Sequence, residues 1–304
     1  MSDTTIAHVS DLHLGPIPPL RLVDWNVKRG LGLLNWHRKR KRLHSAEAWG
    51  TVLADLTAHR PDHIALTGDL VNVGLPAEHA AAAQWLATLG RPEDVTVIPG
   101  NHDIYTRLWR DAGIARWQPY MSGDGGENGP VDGFPFLRRR GDLAIVALNS
   151  AEPTPPFVAS GQVGARQIAA ARDLLDAARR QGLFRCVLIH HPPLPGQARR
   201  GRNLRDAAAL AAMLRAVGVE MVLHGHNHRD MVATFETASG RALVCGIASG
   251  SMALAGHGDG ARYGLHAIRR TAGGWRIDSG LRGLDGSGGV GPLGRSVVEL
   301  ARHG

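Results

Sequence analysis

Hydrophobic positions along this chain fall into two alternating rhythms. Short apolar runs, at Thr4 to Ser10, His63 to Thr67, Val95 to Ile98, Leu143 to Leu148, Phe184 to Ile189 and Val219 to Leu223, have the length and composition of buried strands. Between them, residues 46–59, 76–89, 162–180 and 204–217 carry apolar residues at helical spacing, with Ser45, Pro61, Pro76 and Gly182 marking boundaries. Strand, helix and strand over residues 60–100 predict parallel pairing. Beyond Val219 to Leu223 the helices cease. Strands at 231–236, 243–248 and 264–269, and a Gly273-Gly274 turn before 275–278, predict antiparallel pairing in a second sheet. Residues 119–136 read as an irregular loop. Seven glycines from Gly280 to Gly294 predict a flexible linker, so 1–279 is expected as one domain and 280–304 as linker and tail.

The strands share a way of ending. Asp11 and His13 follow the first, Gly68-Asp69 the second, and Pro99-Gly100-Asn101-His102-Asp103 the third. His190 and His191 leave a later one, and His224, His226 and His228 another. Strand ends that deliver Asp, Asn and His to loops are how an α/β protein builds one site at the carboxyl edge of its sheets. Asp11, His13, Asp69, Asn101, His190, His226 and His228 form an oxygen and imidazole donor set without thiolate, suited to Mn, Fe or Zn. Seven donors are too many for one ion. Two ions about 3.5–4 Å apart can hold a hydroxide between them and stabilise both oxygens of an in-line displacement at phosphorus.

Composition adds one feature. The 304 residues are 43% hydrophobic and 20% charged, an ordinary globular balance, yet the formal charge is +8 and the pI about 10.4. Residues 20–44 hold eight basic side chains against Asp24 alone, a net +7, so the charge sits on an insertion (15–44) in a nearly neutral body. Leu20, Val23, Val27, Leu31 and Leu34 follow helical spacing there, and Trp25 and Trp36 are expected to share a face. Gly30 and Gly32 argue for two short helices. The insertion reads either as a solvated cap or as a lid that meets an anionic membrane surface. Cys186 and Cys245 lie in apolar runs and read as buried free thiols of a reducing compartment. With no basic-then-apolar leader and no apolar run near 18 residues, the expected location is cytoplasmic, with residues 20–44 available to the inner face of the membrane.

The ordered motifs Asp-x-His, Gly-Asp, Gly-Asn-His-Asp, His-His-Pro-Pro and Gly-His-Asn-His resemble the calcineurin-like metallophosphoesterases over residues 6–228. That resemblance implies a four-layer α/β/β/α sandwich of two mixed sheets, with metals at the sheet edge. It implies that Asp11, His13, Asp69 and His228 hold one ion and that Asp69, Asn101, His190 and His226 hold the other. His102 would touch no metal and would protonate the leaving alkoxide or orient the phosphate, supported by Asp103. His191 is expected behind the ligands and His224 as a buried, hydrogen-bonded histidine. Arg199, Arg200 and Arg202 read as a solvated loop that can also grip an anionic substrate. The motif forms look most like the bacterial branch of cyclic-nucleotide and glycerophosphodiester phosphodiesterases. The first functional expectation is therefore hydrolysis of a small phosphodiester by a metal-bridging hydroxide. The alternative is a membrane-surface pyrophosphatase of a nucleotide-linked lipid such as UDP-diacylglucosamine. A third, nucleic-acid binding through the Trp-containing basic stretch, has only one such stretch to rest on.

Overall fold

The computed structural model describes residues 3–108, 111–254 and 260–301, so the end of the expected tail, 302–304, lies outside the described residues. In chain order the strands are β1 (Thr4–Val9), β2 (His63–Leu66), β3 (Val95–Val97), β4 (Phe136–Arg140), β5 (Leu143–Ala147) and β6 (Phe184–Leu188). They continue with β7 (Met221–His224), β8 (Met231–Thr237), β9 (Gly240–Gly246), β10 (Arg262–Thr271), β11 (Gly274–Leu284) and β12 (Val290–Ala301). The helices are α1 (Val27–Asn35), α2 (Lys41–Leu43), α3 (Ala46–Ala58), α4 (Pro76–Leu89), α5 (Ala165–Arg180) and α6 (Ala207–Val217). One sheet runs β12-β11-β10-β1-β2-β3 and the other β4-β5-β6-β7-β9-β8. Both are mixed: β1, β2 and β3 are parallel, as are β5, β6, β7 and β9, while the flanking strands are antiparallel.

Period-two side-chain alternation explains the four layers. In β6, Cys186 and Leu188 join the core between the sheets, whereas Val187 faces the layer of α5 and α6; β7 repeats this with Met221 and Leu223 against Val222. Strands covered on both faces must be apolar throughout, which is why their sequences read as continuous runs. Trp49, Val52 and Leu56 of α3 and Ala82 and Leu86 of α4 join the core on the first sheet's side. Cys186 and Cys245 are buried free thiols within this core.

Three expectations change here. The later strands do not form one second sheet; β8 and β9 complete the sheet of β5 to β7, and β10 to β12 extend the sheet of β1. The glycine-rich stretch is no linker, because β11 and β12 pair from Gly274 with Ala301 through Leu284 with Val290, with a bulge at Leu281 and Arg282. Buried Trp275, Ile277, Leu284 and Leu300 anchor that hairpin, so apolar residues set between glycines outweigh glycine's entropic cost. Strand β4, unexpected from Phe-Leu-Arg-Arg-Arg, exists because the Arg138 guanidinium is buried against the carbonyls of Ser122, Val95, Pro119 and Pro92. No helix among the described residues is long and apolar enough to cross a membrane.

Candidate metal centre

The loops leaving β1, β2, β3, β6 and β7 converge. Asp11 N–H donates to Gly68 O at 2.9 Å and His13 N–H to Asp69 O at 2.9 Å, which locks the first two loops together. Glycine is required where the second and third meet: a Cβ on Gly68 would lie 2.6 Å from Gly100 N, and one on Gly100 2.2 Å from Asp69 Oδ1. Asp11, His13, Asp69, His226 and His228 all adopt positive φ, five of the eight non-glycine residues among the described residues that do so. Such conformations cost energy and persist where the surroundings enforce them, commonly at functional sites.

The side chains form two sets. Ligand atoms of Asp11, His13, Asp69 and His228 all lie within 4.8 Å of one another. His13 Nε2 is 3.3 Å from His228 Nε2 and 3.8 Å from Asp69 Oδ2, and His228 Nε2 is 3.1 Å from Asp11 Oδ1. In the second set, Asn101 Oδ1 is 3.2 Å from His190 Nε2 and 2.9 Å from His226 Nδ1, these two nitrogens are 3.3 Å apart, and His190 Nε2 is 3.5 Å from Asp69 Oδ2. Asp69 Oδ2 is thus the atom the two sets share, while its Oδ1 accepts the His102 N–H at 2.8 Å.

The outer ring atoms identify the inner ones. His13 Nδ1 lies 3.2 Å from Val71 O, His190 Nδ1 2.7 Å from Thr67 O and His226 Nε2 2.8 Å from Arg202 O. A carbonyl only accepts, so each of these nitrogens carries the hydrogen and the inner nitrogen presents a lone pair. Lone pairs crowded at 3.3 Å with carboxylate and amide oxygens repel one another unless a cation lies among them. Asp11 Oδ1 is buried without a backbone or hydroxyl donor among the described residues, and His228 Nε2 lies 3.1 Å from it, an arrangement that suits two ligands of one ion. The charges agree: burial and then the Asp11 charge push Asp69 up to about 8, so the bare centre resists ionisation that a cation would favour. Burial, then His191 and His190, holds His226 well below its ordinary value, in the neutral form a metal ligand needs. The residues fit bound metal ions.

A sequence model of the family described as calcineurin-like phosphoesterase matches residues 4–230. The chain belongs to that family. As a calcineurin-like phosphoesterase it is 29% identical over 180 residues to a "Probable cyclic nucleotide phosphodiesterase" of Rhodococcus erythropolis, covering 58% of this chain and 54% of that one. It is 28% identical over 182 residues to a "cAMP/cGMP dual specificity phosphodiesterase" of Mycobacterium tuberculosis, covering 58% and 51%. The matches therefore span about half the length of these curated relatives. Among solved structures, a dimetal phosphatase from Danio rerio superposes with a TM-score of 0.62 at 13% identity, over 97% of this chain and 100% of that one. A purple acid phosphatase from yellow lupin gives 0.59 at 11% identity, over 98% and 54%. These two likenesses show the fold.

Around the centre of this calcineurin-like phosphoesterase, Asp103 departs from its expected role, whereas His191 and His224 are buried and hydrogen-bonded as expected. Asp103 does not support the His102 ring; its oxygens accept four backbone N–H groups, of Asp69, Leu70, Val71 and Gly100, at 2.8–3.0 Å, and so join the second and third loops. His102 instead has Nδ1 2.5 Å from Asn72 O. His191 is occupied at both nitrogens, by Ser150 Oγ at 2.8 Å and Ala159 O at 3.1 Å, and His224 is buried with Nδ1 3.1 Å from Gly225 O. Arg202 borders a cleft of about 460 Å³ together with Asn101, His102 and Tyr105, whereas Arg199 and Arg200 are exposed and outside that lining.

The insertion contributes more than its pattern suggested. Trp25 and Trp36 do not share an environment, being 59% and 6% exposed. Arg29 is buried against the carbonyls of Val73, Gly74 and Asp24, and Lys28 Nζ donates to Tyr105 O, Thr154 O and Thr154 Oγ1, so part of the basic charge is internal anchoring. His44, absent from the expected site, packs its ring 4.5 Å from that of His13 and makes a third possible metal group with His13 and His228. Burial, His228 and Arg40 push it down to about 3. No spacing rule marks a lone histidine at the end of a charge run; only its approach to His13 in the fold does.

Proposed function

We propose that this chain is a dinuclear-metal phosphodiesterase acting on a small phosphodiester of the cyclic-nucleotide class. The observation that carries the reading is the pair of lone-pair sets sharing Asp69 Oδ2. In it, Asp11, His13, Asp69 and His228 hold one ion and Asp69, Asn101, His190 and His226 the other. Bound there, such ions supply Lewis acidity toward a phosphoryl oxygen and a water-derived nucleophile at neutral pH. The carbonyls of Val71, Thr67 and Arg202 keep the three imidazoles in the ligating tautomer. Asp103, buried, holds the loop that carries Asn101 and His102. His102 lines the cleft with its Nδ1–H donating to Asn72 O. Its Nε2, which accepts from Arg40 here, takes up a proton from solvent once Arg40 turns to the substrate and passes it to the leaving oxygen as the P–O bond breaks. The names of the bacterial relatives support the substrate class, and the thiolate-free donors suit Mn, Fe or Zn.

The test is an assay of metal-loaded protein in Mn²⁺ on cyclic AMP, cyclic GMP, bis-p-nitrophenyl phosphate and p-nitrophenyl phosphate. Diester turnover is expected to exceed monoester turnover; monoester cleavage with every diester untouched would overturn the reading. A second reading, a hydrolase of lipid-linked nucleotides at an anionic membrane surface, is favoured by the exposure of Leu22 at 96%, Val23 at 74% and Trp25 on the insertion. An apolar cavity of about 570 Å³ between Trp36, Trp49, Trp85 and His13 lies alongside. Co-sedimentation with anionic vesicles, lost in Leu22→Asp with Trp25→Asp, would support it, and equal negligible pelleting of both proteins would remove it.

A further inference from the structure

Residues 36–40 leave α1 as a π-helical turn that ends at Arg40. Such turns are rare and frequent at functional sites, and here the turn carries a guanidinium from the insertion to the metal-centre cleft. Arg40 Nη1 lies 2.9 Å from His102 Nε2 and 3.2 Å from His102 Nδ1. Because Nδ1 donates to Asn72 O, the geometry has Nε2 accepting from Arg40.

What Arg40 lacks is as informative. It is half-buried, yet among the described residues it forms no ion pair with a carboxylate. Its neighbours on the insertion are engaged elsewhere, Arg29 by three carbonyls and Lys28 by Tyr105 and Thr154. The cleft that Arg40 lines also holds Lys28, Asn101, His102 and Arg202, and among the described residues no carboxylate is in its lining. A desolvated guanidinium with most of its five donors unmatched needs an anion.

We propose that Arg40 is a substrate-binding residue whose guanidinium takes a non-bridging phosphoryl oxygen beside Asn101 and His102. The insertion then completes the active site as well as covering part of it. This rests on the phosphodiesterase reading and adds a contact from outside the strand-end motifs. In phosphoryl transfer, charge accumulates on the equatorial oxygens, and a fixed planar fork of donors stabilises it more than it stabilises the ground state. Lysine, a point charge without the fork, would replace it only in part.

The experiment compares wild type, Arg40→Ala, Arg40→Lys and the exposed control Arg42→Ala, each loaded with Mn²⁺. Metal content, calorimetric affinity for inorganic phosphate, and kcat and KM on bis-p-nitrophenyl phosphate are measured for all four. Arg40→Ala is expected to keep the wild-type metal content, bind phosphate at least about tenfold more weakly and lose about 10²-fold in kcat/KM, with kcat falling. Arg40→Lys should recover part of both, and Arg42→Ala should match wild type. Unchanged phosphate affinity and kcat/KM in Arg40→Ala would overturn the proposal while leaving the phosphodiesterase reading intact. Loss of metal in both Arg40 variants would overturn it too, by making the role structural. Should wild type cleave no diester, the phosphodiesterase reading fails, and the phosphate affinities alone decide for or against Arg40.

Discussion

The strand-end cluster and the insertion at residues 20–44 reach one cleft by opposite means. The cluster takes one or two side chains from each of five loops, and its backbone is tied by Asp103 and by glycines that let loops touch. The insertion presents α1, a π-helical turn and α2, and is fastened by the buried Arg29, the Lys28 contacts and a single antiparallel bridge from His44 to Met252. In the first region position follows from the sheets, and substitutions should change chemistry. In the second, position depends on a few polar anchors, and substitutions should change docking.

The sharpest way to break this contrast is Asp69→Asn. Removing the shared negative charge should lower bound metal and reduce kcat/KM by at least about 10³-fold, since each ion contributes several kcal/mol to the transition state. Full metal content with full activity would show that Asp69 is not shared. His102→Ala should come next: metal is retained, and kcat falls on the order of 10²-fold, most for substrates with poor leaving groups. Elemental analysis with a leaving-group series separates the two variants.

Chelation gives a third, smaller effect with a definite sign. In the metal-free protein Asp69 is pushed from 3.8 up to about 8 by burial and by Asp11. A group whose folded pKa is raised helps stability below its unfolded value, and that contribution is lost as pH climbs toward 8. Burial also holds His13, His44, His102 and His226 well below their ordinary value, which adds stability as pH rises to about 6.5. Calorimetry in chelator should therefore show Tm rising from about pH 4 to 6.5 and then declining toward pH 8 as Asp69 ionises, with metal flattening that decline. A chelated Tm that keeps rising from about pH 6.5 to 8 would contradict the raised Asp69.

Much of the cluster was legible because strands buried on both faces have unmistakable sequences and their exits carry Asp, Asn and His at fixed spacing. Asp11, His13, Asp69, Asn101, His190, His226 and His228 meet in the fold at the distances given above. Asp103 was misread because adjacency to His102 suggested a side-chain partnership, whereas its carboxylate turns to backbone N–H groups. Arg40 and His44 were invisible for another reason. Eight basic residues in a row of twenty-five look alike, and only docking distinguishes Arg29 and Arg40, engaged inside, from Arg42 outside. The strand at 275–278 was legible, but its continuation to Leu284 and its pairing with β12 were hidden by the glycines of 280–294, which drew attention from Leu284 and Leu300.

The mildest test addresses the anchors. Arg29 donates to Gly74 O at 2.6 Å, Asp24 O at 2.6 Å and Val73 O at 3.3 Å, and is only 4% exposed. Truncation leaves buried carbonyls unpaired, so Arg29→Ala should cost about 1–3 kcal/mol and lower Tm by several degrees. Because Val73 and Gly74 follow the loop that carries Asp69, the insertion and the metal centre share this fastening. Arg29→Ala should therefore raise KM for a substrate that occupies the cleft while metal content stays constant, and Arg42→Ala should do neither. If Arg29→Ala instead removed metal as Asp69→Asn does, the two regions would be one cooperative unit and the contrast between them would fall.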